Sequence, residues 1–271
     1  MPYSPTLLVL IATLFVTAAA LAQAGEEPPE QLPPELMAGA KVLVPSPSEL
    51  IHSLKSANVA KWGDSLADIA MAGSSHRFDQ AEESLKALNL GIRVADCFVA
   101  IAAQDRGAFE DSAVLVKALA KQLGASESIT TAGEKAERLV SGGEWPGVRV
   151  QLDAMRGDLL RELETVDRNA ATLATVGGWL QGLHLVTGVL VRDYSDAGSK
   201  VLRQPDLAAH LRQSLEELGA VVKSSARVRE MIDRLREIEG LLTVEREGPV
   251  PREKVQQVRA ICAAVIQGLE R

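Results

Sequence analysis

The sequence predicts an all-α fold, an antiparallel multi-helix bundle of about eight to ten helices. Three observations predict it. From residue 46 onward the apolar side chains recur at intervals of three and four, the helix period, and no alternating strand pattern interrupts them. Aromatic residues make up only 3% of the 271 residues, so the core must be built from Leu, Val, Ile and Ala, which suits helices better than a β-sandwich or barrel. The stretches between the periodic segments are short, which places successive helices side by side and antiparallel.

The chain opens on an uncharged apolar run, Thr6 to Ala22, followed by Ala22-Gln23-Ala24. Small residues at these positions suit a signal peptidase, so the expected cut lies between Ala24 and Gly25 and the mature chain is expected to be exported, periplasmic or secreted. Met1 to Pro5 carries no Lys or Arg, which leaves an uncleaved anchor as the rival reading, since about 17 apolar residues just span a bilayer. Gly25 to Pro34 is acidic and proline-rich and reads as an extended, solvated linker. The organisation expected is therefore a signal over 1–24, a linker over 25–45 and a single helical domain over 46–271.

Within that domain Ser46-Pro47-Ser48-Glu49 has an N-cap Ser, Pro at the first helical position and Glu at the third, and it opens a short helix to Ser56. A second helix is expected over Lys61 to Met71. Phe78 to Gln104 reads as one long helix with Phe78, Ala81, Leu85, Leu88, Ile92, Ala95 and Val99 along one side, broken by Asp105-Arg106-Gly107. Phe109 to Leu123 follows, stopped by Gly124. Ser126 to Val140 is a more polar helix ended by Ser141-Gly142-Gly143, and Trp145-Pro146 starts the next, which carries Val150, Leu152, Met155, Leu159, Leu160 and Leu163. Asp167 caps a long apolar helix to Val191. Pro205 opens a helix lined by Leu207, Leu211, Leu215 and Leu218. Val221 to Leu242 reads as one helix, with Glu230 and Arg234 spaced as an outward i,i+4 pair. Pro251 to Leu269 closes the chain.

The segment Ala170 to Val191 contains no charge, and Ala170, Ala174, Gly178 and Gly182 form a ridge of small residues spaced by four. Such a ridge admits a neighbouring backbone. Gln181, His184 and three threonines are costly in lipid, so a buried central helix is expected rather than a membrane span. Gly182-Leu-His184 resembles, at two positions, the Gly-x-His-x-x-Glu motif of imelysin-like proteins, which are exported helical bundles linked to iron. Thr187 stands where that motif has its carboxylate, and the chain is not assigned to that family.

Four residues are candidates for a ligand site: Arg93 and Asp96, which interrupt the apolar middle of one long helix at i,i+3, and Gln181 and His184 on the other. Either an Arg–Asp pair within the packing or a ligand-binding charge pair fits that spacing. Glu49-x-x-His52 matches one half of a di-iron signature, but no second pair accompanies it, and Asp206 with His210 is spaced for a surface ion pair. Cys97 and Cys262 lie on apolar stripes and read as buried thiols, with a disulfide as the alternative. No nucleophile elbow, phosphate loop, zinc-protease or dinucleotide motif occurs, so no enzyme, metal or cofactor is expected. A net charge of −7 argues against nucleic acid. The function expected is a non-enzymatic binding or structural role in the cell envelope, with an unknown protein or small ligand as partner and no stable membrane span after signal cleavage. A small-ligand or metal-binding bundle is the alternative.

Overall fold

Polar caps set where each helix begins. The computed structural model describes residues 44–56, 82–125, 127–244 and 248–269, and among these no strand occurs. Helix α1 (Pro47–Ser56) opens with a reciprocal capping box: the Ser46 backbone N–H donates to Glu49 Oε2 at 2.5 Å, and the Glu49 N–H donates to Ser46 Oγ at 3.2 Å. The two otherwise unpaired N-terminal donors are thereby satisfied. Helix α2 (Glu83–Ala103) is the long helix expected to start at Phe78. That start, and the helix expected over Lys61 to Met71, lie outside the described residues. Helix α3 (Arg106–Gln122) begins ahead of the expected Phe109 because Asp105 caps it, its Oδ1 accepting from the Ala108 N–H at 3.0 Å.

Helix α4 (Glu127–Ser141) and α5 (Trp145–Val166) flank the Gly142-Gly143 turn, where Gly143 holds a φ of 73°. Helix α6 (Arg168–Arg192) is capped by Asp167, which accepts from the Asn169 N–H at 2.9 Å. A short α7 (Asp196–Ser199) runs into a 3₁₀ turn over Lys200–Leu202, and α8 (Pro205–Glu216) follows. The sequence expectation of one helix from Val221 to Leu242 is corrected: α9 (Ala220–Ser224) and α10 (Ala226–Leu242) are separate. Ser225 is extended (φ −56°, ψ 134°), and the Ser224 hydroxyl donates back to the Val221 carbonyl at 2.7 Å. Adjacent serines compete for backbone groups in this way and end a helix. Helix α11 (Arg252–Leu269) completes the chain.

All described residues belong to one unit, Leu43–Arg271. Helices α2 and α6 make its most extensive pairing. Helix α6 also packs on α1, α5, α8 and α11, while α10 packs on α8 and α11, and α4 on α5. The architecture is thus the antiparallel helical bundle that the periodicity predicts. Helix α6 is long and apolar enough to cross a membrane by length and composition, and most of it is buried within the bundle.

The small-residue ridge of α6 explains its central place. A Cβ built on Gly91 of α2 would collide with the Ala174 carbonyl oxygen and stand 2.6 Å from the Gly178 nitrogen, and one on Gly177 would collide with the Leu88 carbonyl oxygen. The two helices therefore meet backbone to backbone. Gly182 serves another neighbour: Leu50 of α1 seats over it, its Cδ1 2.7 Å from where a Cβ would be. A mid-helix glycine costs about 1 kcal/mol against alanine, and the closer packing of α2 and α1 offsets it.

Two surface expectations differ in detail. Glu230 pairs with Arg227 at 3.2 Å and Arg234 with Glu237 at 3.0 Å, each at i,i+3, so Glu230 and Arg234 are not partners. Among the described residues Asp206 and His210 make no ion pair.

Candidate functional site

Three of the four residues singled out in the sequence come together. Arg93 and Asp96 project from one side of α2, and Gln181 meets them from α6. Asp96 Oδ2 accepts from Arg93 Nη1 at 2.9 Å, and Asp96 Oδ1 accepts from Gln181 Nε2 at 2.6 Å. Their exposures are 4%, 6% and 5%, which decides the energetics: a lone charge at this depth is costly, and here each carboxylate oxygen receives a donor. Of the two readings the spacing allowed, the geometry is that of an ion pair within the packing, extended by an amide that links the two central helices.

His184, the fourth candidate, stands apart from the trio and is half-buried beside α11. Burial lowers its pKa to about 4; the charge of Arg259 adds to the lowering, and a hydrogen bond involving the Arg259 backbone opposes it. The imidazole is therefore neutral over the physiological range. Its Nδ1 and the Gln181 Oε1 are buried atoms without a hydrogen-bond partner among the described residues. Thr187, at the place of the imelysin-like carboxylate, is buried and turns its hydroxyl onto its own helix, donating to Leu183 O at 2.7 Å.

Both thiols are free and buried. Burial pushes each well above the ordinary cysteine range, and the neighbouring Asp96 charge pushes Cys97 further. A protonated thiol is a poor nucleophile. Glu49, half of the di-iron spacing, is committed to the α1 cap. Among the described residues no group of three or more His, Cys, Asp or Glu is placed to hold a metal ion.

An open concavity lies elsewhere, where α1, the last turn of α2 and the first turns of α5 converge. It is a groove of about 380 Å³ with Ile51, Phe98, Ile101 and Trp145 as apolar wall and with His52, Gln104 and Arg149 at its polar edge. The chain holds only four Phe and three Trp, so a Phe and a Trp facing one groove is a local concentration. Gln104 is the C-terminal residue of α2 in the left-handed conformation, φ 56°, with its N–H returned to the Ala100 and Ile101 carbonyls. It is the only non-glycine residue with positive φ among the described residues, at a position where helices usually place glycine. Arg149 is exposed and makes no ion pair among the described residues. Burial draws the Arg156 guanidinium, two turns further along α5, below the ordinary arginine range, while the charges of Asp153 and Glu49 oppose this.

Sequence reasoning did not single out this groove. Its signals were present but scattered over three segments: Trp145 and Arg149 at i,i+4, His52 within the di-iron spacing, and Gln104 at the helix end where a glycine belongs. No family model, curated protein or solved structure matches the chain.

Proposed function

We propose that the chain is an exported, non-enzymatic helical-bundle protein that acts by binding within the cell envelope. The observation that carries the reading is the groove between α1, α2 and α5, whose volume of about 380 Å³ falls within the range of small-ligand clefts. The cleavable apolar run before Gly25 supports export. A non-enzymatic role is supported by how the reactive-type side chains are spent: Asp96 has a donor on each oxygen, and both thiols are held protonated by burial. The groove edge offers an imidazole, an amide and a guanidinium, groups that can hold a ligand by hydrogen bonds and charge.

The test is native mass spectrometry of protein isolated from the envelope fraction, run beside a broad hydrolase substrate panel. A stoichiometric bound species that is lost in Arg149→Gln is the expected result. Substrate turnover that survives rigorous purification would overturn the reading.

A second reading places a small ligand inside the bundle, at Gln181 and His184. It draws on the two buried polar atoms without partners, Gln181 Oε1 and His184 Nδ1. A bound species lost in His184→Ala but retained in Arg149→Gln would favour this site over the groove.

A further inference from the structure

We infer that the α1–α2–α5 groove is a binding site for a small organic anion with a flat apolar body, an aromatic carboxylate being the simplest member of the class. This rests on the binding function proposed above and names the chemistry of the occupant.

The shape and the lining point to the apolar body. Trp145 and Phe98 offer faces and edges to a flat ring, and Ile51 and Ile101 close the wall beside them. Aromatic side chains bind flat partners through large contact areas at little cost in side-chain entropy. Phe98 is 2% exposed, so it is a rigid floor, whereas Trp145 is half-buried and lines the groove.

The charge distribution points to the anion. The whole chain carries −7 and so repels anions on average, yet among the described residues no carboxylate lines the groove, whereas Arg149 does. The groove also lies against the start of α5, a helix of 22 residues with no acidic side chain in its first turn and with Pro146 among its first residues. The positive end of such a helix adds to the potential felt by an anion there. The carboxylates nearest in sequence are Asp105, committed to the α3 cap, and Glu144, which precedes α5 and makes no side-chain cap. A planar guanidinium is suited to grip a carboxylate through two parallel hydrogen bonds.

Gln104 supplies an independent mark. A left-handed conformation costs a residue with a Cβ about 1 kcal/mol or more against glycine. The fold needs a positive φ here to bring the N–H of the next residue, Asp105, back to the Ala100 carbonyl at 2.9 Å, and glycine would meet that need at less cost. What glutamine adds is an amide at the groove edge, able to donate to the second oxygen of the anion or to a ring substituent.

The experiment titrates full-length processed protein with naphthalene-2-carboxylate and with its neutral isostere naphthalene-2-carboxamide, by calorimetry at low and high salt. The carboxylate is expected to bind about tenfold more tightly than the carboxamide, and Arg149→Gln is expected to erase that difference. Arg161→Gln, an exposed arginine on the same helix, should change neither. Gln104→Gly is expected to weaken carboxylate binding while raising the melting midpoint by about 2–4 °C. Equal affinity for acid and amide, or an acid preference that persists in Arg149→Gln, overturns the anion. A raised midpoint with unchanged affinity overturns the role of Gln104. If neither probe binds, but native spectra show an Arg149-dependent species that is not an organic anion, the ligand class falls while the binding reading stands. If no species binds at all, both fall.

Discussion

The α2–α6 junction and the α1–α2–α5 groove are built from the same long helix and break the same kind of rule, yet they differ in what answers the exception. At the junction, Gly91, Gly177 and Gly178 sit mid-helix, where glycine is unfavourable, and backbone atoms of the facing helix occupy the space a Cβ would need. Arg93 and Asp96 are charges in a dry interior, and Asp96 accepts from both Arg93 and Gln181. At the groove, Gln104 occupies a glycine position, Arg149 stands near a helix start rather than a helix end, and Trp145 is only half-buried. The first set is answered by packing within the fold; the second is what the proposed binding function draws on.

The largest effect should come from breaking the interior. Asp96→Ala removes from the core the carboxylate to which Arg93 and the Gln181 amide both donate, and a cost of about 3–5 kcal/mol is expected, read as a lower urea midpoint. Replacing the group together, Arg93→Met with Asp96→Leu and Gln181→Leu, should recover most of that loss, because no buried charge remains. A cost near zero for Asp96→Ala would mean that water already reaches the trio, and the contrast between a closed interior and an open groove would collapse.

Gly91→Ala comes next. The added Cβ meets the Ala174 carbonyl, which is backbone and cannot rotate away, so α2 and α6 must separate; the expected loss is about 3 kcal/mol, the upper end for overpacking. Gly240→Ala is the matched control, since nothing lies within 4 Å of a Cβ there and the residue is within α10. It should stabilise by about 0.5–1 kcal/mol through helix propensity. Opposite signs for two identical substitutions would place the α2–α6 contact, rather than glycine content as such, at the centre of the fold.

His184 gives the bundle a pH dependence. Its folded pKa of about 4 lies below the ordinary value near 6.5, so the folded state binds the proton less well than the unfolded state. The neutral imidazole's contribution is complete above about pH 6.5 and is lost as the pH falls from there through about 4. The shift corresponds to about 3 kcal/mol at most, and about 2 kcal/mol is expected for a side chain only partly shielded from water. Unfolding free energies of the parent and His184→Leu, compared from pH 8 to pH 4, should converge toward the acid end, and parallel curves would remove His184 as the cause.

How much of this was legible in the sequence follows from whether the signal is local. Helix period, the Ser46–Glu49 box, the Asp167 cap and the Ala174–Gly178 spacing are all contained in one segment, and they locate most of the described helices, the central α6 among them. Arg93 and Asp96 were visible as charges in an apolar stripe, and Gln181 as an amide in another. That Gln181 donates to Asp96 depends on the register of two helices 85 residues apart in sequence, which periodicity does not supply. Gly91 was not recognised as the counterpart of the α6 ridge, because a lone glycine carries no spacing pattern. The break at Ser225 was hidden because apolar residues continue in phase on both sides. The groove was the least legible of all, since it is assembled from three chain segments whose residues are unremarkable one by one.

The smallest effect expected sharpens the comparison most finely, because it concerns α1, a short helix that touches both regions. Its Leu50 seats over Gly182 in the interior, and its Ile51 and His52 line the groove. The Ser46–Glu49 box holds its first turn. Glu49→Ala removes one half of the box and should cost about 0.5–1 kcal/mol, while Glu49→Gln, which can still accept from the Ser46 N–H, should cost less. Hydrogen exchange tells which region α1 belongs to. If the loss appears only in amides of α1, the helix opens locally and is a groove wall that rests on the core. If α2 and α6 amides lose protection by the same amount, α1 is part of the interior, and the groove is then as rigid as the junction it was contrasted with.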